Sequence, residues 1–320
     1  MQVFALACLY LGFFLSSVLA SPLLSSRGIS SSLYDDLVRY TQYSSAAYQL
    51  LCPSPLGNTL VQSFSEGRHG FIARDDTRKE IVVSFRGSFS LADAATGPRF
   101  KPIIILRSST PLTDLDILLV PFISPGVTKT FNVHSGFLAA YNEVAEAILV
   151  TVNGQLAKYP KYSVVVTGHS LGGALAALGA SALKTALPTT AMKLYTFGQP
   201  RTGDAQFAAY VESTIGAGSI FRAVHTFGKR FSQYGTLFLL DILADGVPTM
   251  LPRFLGYEHH STEYWQFKDP GLFTSKASTV TKCVGEEDPA CSASILSTGI
   301  NPPHLFYFGQ IMAVDPLLCI

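Results

Sequence analysis

The fold is decided by Val164-Val165-Val166-Thr167-Gly168-His169-Ser170-Leu171-Gly172-Gly173. Residues 163–167 form a short β-branched run, the pattern of a strand buried on both faces. Residues 171–187 are rich in Ala and Gly and read as a helix. Between them, Gly168-x-Ser170-x-Gly172 has the strand–turn–helix context of a nucleophile elbow. Ser170 must occupy a sharp turn with strained backbone angles, and Gly168 and Gly172 let the flanking chain approach closely. His169 fills the position between them. The helix that follows aims free N–H groups at the serine, which favours developing negative charge.

Outward from this stretch, the chain alternates strands and helices. Apolar residues at helical spacing predict an amphipathic helix over 29–47, and a second over 137–156. Strands are predicted at 70–73 and 80–85, with Arg74-Asp75-Asp76 as the turn between them. Further strands are predicted at 194–197, 220–225 and 263–267. This order specifies an α/β class, a mostly parallel sheet with helices on both faces. The chain has no internal repeat, low-complexity tract or linker that would divide it.

Composition excludes other classes. Hydrophobic residues make up 48% of the 320 positions and charged residues 14%, so the chain is not of the disordered type. Five Cys are too few for a disulfide miniprotein. With 23 basic and 22 acidic residues, the net charge of +1 offers nothing to nucleic acid. Residues 1–20 are almost wholly apolar and end in Val18-Leu19-Ala20, which predicts a secretory signal peptide cleaved before Ser21. Their apolar core is shorter than the ~20 residues a membrane span needs. No later segment reads as a span, so no transmembrane segment is expected in the mature chain. It is expected to be one domain, 21–320, extracellular and monomeric.

Removal of the leader takes Cys8 away. Cys52, Cys283, Cys291 and Cys319 remain, an even number in an oxidising compartment with three possible pairings. Without a CxxC pair or a nearby His cluster, no metal site is expected. No Asn-x-Ser/Thr acceptor occurs.

A serine hydroxyl needs a base, and the base needs an orienting acid. In elbow architectures the chain order is Ser, then Asp or Glu, then His. That order leaves His259, His260 and His304. His304 follows the rigid Asn301-Pro302-Pro303, a suitable mount for a base. A structural role fits His259 and His260, just before Glu263-Tyr264-Trp265. For the acid, Asp245 sits on the turn Asp245-Gly246-Val247-Pro248, with Asp204 and Asp241 as rivals. Spacing does not choose among them.

These residues resemble a known family. Gly168-His169-Ser170-Leu171-Gly172-Gly173, Ser84-Phe85-Arg86-Gly87-Ser88, Tyr195-Thr196-Phe197-Gly198-Gln199-Pro200-Arg201-Thr202-Gly203, Asp245-Gly246-Val247-Pro248 and Glu263-Tyr264-Trp265 are similar to the secreted fungal class 3 lipases. The nearest pattern is the branch that includes type A feruloyl esterases. The resemblance runs from about residue 29 to residue 319. It implies the α/β-hydrolase fold and hydrolysis of carboxylic esters. It maps the nucleophile to Ser170, the acid to Asp245 and the base to His304, and it implies the disulfides Cys52–Cys319 and Cys283–Cys291. The expected oxyanion donors are the backbone N–H groups of Leu171 and Ser88. Arg86 fits a structural ion pair beneath the site better than a substrate clamp. His134 is read as supporting the site wall or as a hydrogen-bonded core histidine.

The pattern departs from the family twice. Residues 97–113 interrupt the path from Phe85-Arg86-Gly87-Ser88 to Thr113-Asp114-Leu115-Asp116. Residues 227–243 separate His225-Thr226 from Ala244-Asp245-Gly246-Val247-Pro248. Each is about 17 residues, longer than most connections in a compact domain. Our hypothesis is that both are retained introns of a gene model. Transcripts that keep both segments would refute it.

The expected substrate is a small-molecule or lipid ester; a lipid–water interface is a candidate meeting place, although the short, mildly apolar segment 90–95 argues against strong interfacial activation. No metal or organic cofactor is expected. Gly172-Gly173 and the apolar strand Leu115-Asp116-Ile117-Leu118-Leu119-Val120 lean toward acylglycerols. The terminal matches lean toward phenolic esters of plant cell walls. A binding protein on a hydrolase scaffold is the alternative of another class, should the inserts break the triad.

Overall fold

The computed structural model describes residues 28–64, 70–88, 118–227, 243–269, 275–295, 297 and 299–320. The leader 1–20 and the first insert 97–113 lie outside the described residues, as do His69, Asp114 and Asp241.

Helix α1 (Ser31–Ala46) begins where Leu33 N–H donates to the Ser30 hydroxyl, so the cap trims the predicted 29–47 at its start. Strands β1 (Thr59–Phe64), β2 (Gly70–Asp75) and β3 (Glu80–Phe85) follow. β2 runs to Asp75, past the predicted end at 73. The buried Asp75 carboxylate is held by Arg39 and accepts Arg78 N–H, which moves the turn to residues 76–79.

Strands β4 (Leu119–Ser124) and β5 (Val127–His134) form a separate antiparallel pair. The apolar strand expected at 115–120 therefore begins only at Leu119 among the described residues. The single helix predicted over 137–156 is two, α2 (Ser135–Asn142) and α3 (Ala145–Lys158). Val144, with φ −122°, breaks the run. Val144 and Tyr141 are both buried, so the break lets each helix turn its own apolar side inward.

Strand β6 (Ser163–His169) leads into α4 (Leu171–Ala186), then β7 (Met192–Phe197), α5 (Ala205–Ile215) and β8 (Ile220–Phe227). Short β9 (Leu243–Ala244), then β10 (Glu263–Asp269) and β11 (Val280–Lys282), complete the main sheet. Two-residue strands β12 (Phe306–Tyr307) and β13 (Gln310–Ile311) pair with each other.

Among the described residues the main sheet runs β1-β2-β3-β6-β7-β8-β10-β11, with β9 beside β8. Its centre, β3 to β10, is parallel, and β1, β2, β9 and β11 are antiparallel. Burial alternates between two cores. Val164 and Val166 pack with Ala174 and Leu178 of α4, while Val165 packs with Leu37 and Tyr40 of α1. The run of consecutive valines is thus apolar because both faces are covered. The fold is the expected α/β-hydrolase arrangement.

Phe227 pairs with Leu243, and Thr226 with Ala244. The two ends of the second insert therefore meet side by side on the sheet, and its interior, 228–242, lies outside the described residues. Disulfides join Cys52 to Cys319 and Cys283 to Cys291, the pairing that the resemblance implied. Glu263 lies near the second pair, but with the two sulfurs bonded to each other they are not thiolate ligands. Among the described residues no helix is long and apolar enough to cross a membrane.

Candidate active site

Ser170 sits between β6 and α4 with φ 59° and ψ −128°. A positive φ is strained for a residue with a side chain, typically by about 1–3 kcal/mol. The surrounding bonds hold it there: Ser170 N–H donates to Phe197 O at 2.9 Å and Gly173 N–H to Ser170 O at 2.9 Å. The flanking glycines are sterically required. A Cβ on Gly168 would lie 2.1 Å from Gly172 O, and one on Gly172 would lie 2.4 Å from Phe85 O. The Ser170 hydroxyl is buried and has no hydrogen-bond partner among the described residues. A buried orphan hydroxyl is costly and marks a site where something else is meant to bond.

His304 lies on a 3₁₀ turn, Pro302–Leu305, and is fully buried. Its Nδ1 donates to Asp245 Oδ2 at 2.8 Å. A carboxylate only accepts, so the proton sits on Nδ1 and the lone pair on Nε2. That Nε2 also has no partner among the described residues. The His304 ring lies 4.5 Å from that of His169, the residue next to Ser170. The orphan hydroxyl and the orphan imidazole nitrogen thus share one end of the sheet.

Asp245 follows β9, and its N–H donates to His225 O at 2.8 Å. Its Oδ1 accepts Val247 N–H at 2.9 Å, and its Oδ2 accepts the Tyr307 hydroxyl as well as His304. Burial alone would raise this carboxyl. A positive charge on His304 when it is protonated, and the bonds from His304, Tyr307 and Val247, outweigh it and hold the group below its ordinary 3.8. The same burial and the Asp245 charge push the Tyr307 hydroxyl well up, so Tyr307 stays a donor.

The rivals have other work. Asp204 caps α5 by accepting Phe207 N–H at 2.8 Å and also accepts Asn132 N–H at 2.8 Å. His259 bonds Pro248 O at 3.0 Å and His260 bonds Gln199 at 3.0 Å. Burial, then the Arg222 charge, drives His260 down to about 3. His134 Nδ1 accepts Phe137 N–H and its ring stacks on Phe137, so it is the hydrogen-bonded core histidine. Leu171 is the first residue of α4, where N–H groups lack helical partners. Ser88 is three residues past β3, whose Phe85 pairs with Gly168. Arg86 is buried, with its charge acting on the Tyr48 hydroxyl.

Tyr307, Tyr48 and His225 were not singled out from sequence. Their roles depend on contacts across 62, 121 and 78 residues of chain. No local pattern encodes such contacts.

A family model described as lipase (class 3) matches residues 82–227. A lipase of Rhizomucor miehei is 35% identical over 245 residues, covering 75% of this chain and 55% of its own. A secreted mono- and diacylglycerol lipase of Fusarium solani is 31% identical over 252 residues, covering 78% and 63%. The chain is similar to the fungal class 3 lipases. It spans between half and two thirds of the length of these two relatives. A solved triacylglycerol lipase, whose catalytic centre is described as a serine protease triad, superposes with a TM-score of 0.65 at 28% identity. That match covers 92% of this chain and 99% of the other. The family model's match contains Ser170 and ends at Phe227, before Asp245 and His304. These matches do not single out the feruloyl esterase branch.

Proposed function

We propose that the chain is a secreted serine carboxylic-ester hydrolase of lipase type, with Ser170 as nucleophile, His304 as base and Asp245 as acid. The observation that carries this reading is the buried, unbonded Ser170 hydroxyl beside a buried His304–Asp245 pair whose Nε2 is free to take a proton. His304 Nε2 removes the hydroxyl proton as Ser170 Oγ attacks the ester carbonyl. The N–H groups of Leu171 and Ser88 hold the oxyanion, each contributing on the order of 3 kcal/mol to the transition state. The proton passes from His304 to the departing alcohol. Water, deprotonated by the same Nε2, then releases the acid. Asp245 fixes the imidazole tautomer and stabilises the imidazolium.

Acylglycerols are the favoured substrates, because the relatives are named for them. Two disulfides and a secreted relative support an extracellular location. We also propose that residues 1–20 are a secretory leader and that both inserts derive from retained introns. Nitrophenyl esters of increasing chain length, beside methyl ferulate, test the substrate class. Preference for longer acyl chains supports the lipase reading, and preference for ferulate overturns it. Ser170→Ala must abolish both turnover and labelling by a serine-directed phosphonate. Ester cleavage that survives this change excludes Ser170 as nucleophile.

A further inference from the structure

The residue between Gly168 and Ser170 has no assigned task in the reaction. His169 is fully buried, and both of its ring nitrogens are bonded. Nε2 lies 2.7 Å from His304 O, and Nδ1 lies 2.7 Å from the Tyr48 hydroxyl. A carbonyl oxygen only accepts, so Nε2 carries the proton. Nδ1 then accepts, and Tyr48 donates to it. Tyr48 is itself fully buried, and its oxygen takes the N–H of Gly87, the residue before the proposed oxyanion donor Ser88. A Cβ on Gly87 would lie 2.1 Å from that oxygen, so only glycine leaves it room.

One hydroxyl and one imidazole therefore connect three separate parts of the site. Gly87 leads to Ser88, His169 leads to Ser170, and His304 O belongs to the base itself. The neighbouring carbonyl, Pro303 O, bonds His225 Nδ1 at 3.2 Å. Two buried imidazoles thus grip consecutive carbonyls of the turn that presents His304.

We propose that His169, with its tautomer set by His304 O and its Nδ1 held by Tyr48, is a positioning residue that fixes the spacing between the nucleophile and the base. The proposal rests on the ester-hydrolase reading. Neutral His169 also suits the chemistry. A second positive ring 4.5 Å from His304 would oppose the imidazolium that forms there. Burial and the His304 charge both disfavour protonation of His169.

The groups facing His169 are Tyr48 from the segment after α1, His304 and Tyr307 from the base turn and β12, and Asp245 from the segment after β9. Tyr48→Phe removes the donor to Nδ1 and leaves that buried nitrogen and one edge of the ring unheld. His169→Leu removes the bond to His304 O. His169→Gln can return an N–H near the Nε2 position.

The test compares folded parent, Tyr48→Phe, His169→Leu and His169→Gln. The readouts are kcat and KM on a nitrophenyl ester, the rate of phosphonate labelling, and imidazole ¹⁵N shifts. Small misplacements of reacting groups can cost about 100-fold. Tyr48→Phe and His169→Leu should lower kcat and labelling rate by about tenfold or more, with KM unchanged. His169→Gln should recover most of that loss. The parent should show His169 protonated on Nε2, and Tyr48→Phe should disturb that signal.

Parent-like kcat and labelling in folded Tyr48→Phe overturn the proposal, as does an Nδ1-protonated His169 in the parent. If His169→Leu fails to fold, Tyr48→Phe and the ¹⁵N measurement still decide. A parent that neither cleaves esters nor takes the phosphonate removes the hydrolase reading, and this inference with it.

Discussion

At Ser170 the backbone holds a φ that glycine adopts freely and serine does not. Ser170→Gly relaxes that strain and removes a buried orphan hydroxyl. The variant should gain about 1 kcal/mol of stability in urea denaturation while losing activity. Asp245→Asn keeps the size of the acid but no longer stabilises the imidazolium. It should lower kcat at neutral pH by about 10³–10⁴, measured on a nitrophenyl ester. His134 is buried and its pKa falls to about 4, against an ordinary 6.5, because burial penalises the charged ring. Between those two values the unfolded chain binds a proton that the folded chain refuses, so stability falls as pH drops from 6.5 to 4. His134→Asn keeps a capping acceptor without the titration. Its urea midpoint should fall less than the parent's across that window. The depressed Asp245 carboxyl adds stability that is lost only at lower pH, below 3.8.

Among elements, the contact between the start of α4 and the end of β3 is the tightest constraint on the elbow. Gly172→Ala places a carbon against Phe85 O and should destabilise by about 3 kcal/mol, read as a lower melting temperature. The elbow itself was legible because its steric demands are local: a buried strand, two glycines and a small-residue helix within 24 residues. The break at Val144 was not, because it answers to packing of Tyr141 and Val144 against a core assembled elsewhere. The acid was narrowed to three candidates by chain order but chosen only by the resemblance. Asp204 is equivalent to Asp245 by spacing and is set apart by its capping bond to Phe207. Where β8 and β9 meet, Phe227 and Leu243 stand side by side. Replacing 228–242 by Asn-Gly, a two-residue hairpin turn, should leave the fold and ester turnover intact. Loss of turnover in the soluble variant would show that the segment contributes to the site.

For the molecule as a whole, the two disulfides differ mainly in the length of chain they close. Cys52–Cys319 spans 267 residues and Cys283–Cys291 spans 8. In the chain-entropy treatment the first contributes roughly 5.6 kcal/mol and the second roughly 2.5 kcal/mol. Cys52→Ala with Cys319→Ala should therefore lower the urea unfolding free energy about twice as much as the paired change at 283 and 291. The two-sided core also explains why composition alone was informative. Alternate residues of β6 supply opposite layers, so Val164, Val165 and Val166 are all fully buried.

The bond between Cys52 and Cys319 makes most of the polypeptide a covalent ring. A protease that nicks the ring at any single point between those residues releases no fragment. Its two new ends stay tethered through sulfur, and the pieces separate on a gel only after reduction. If the chain is secreted as proposed, it would survive a first proteolytic cut as one molecule.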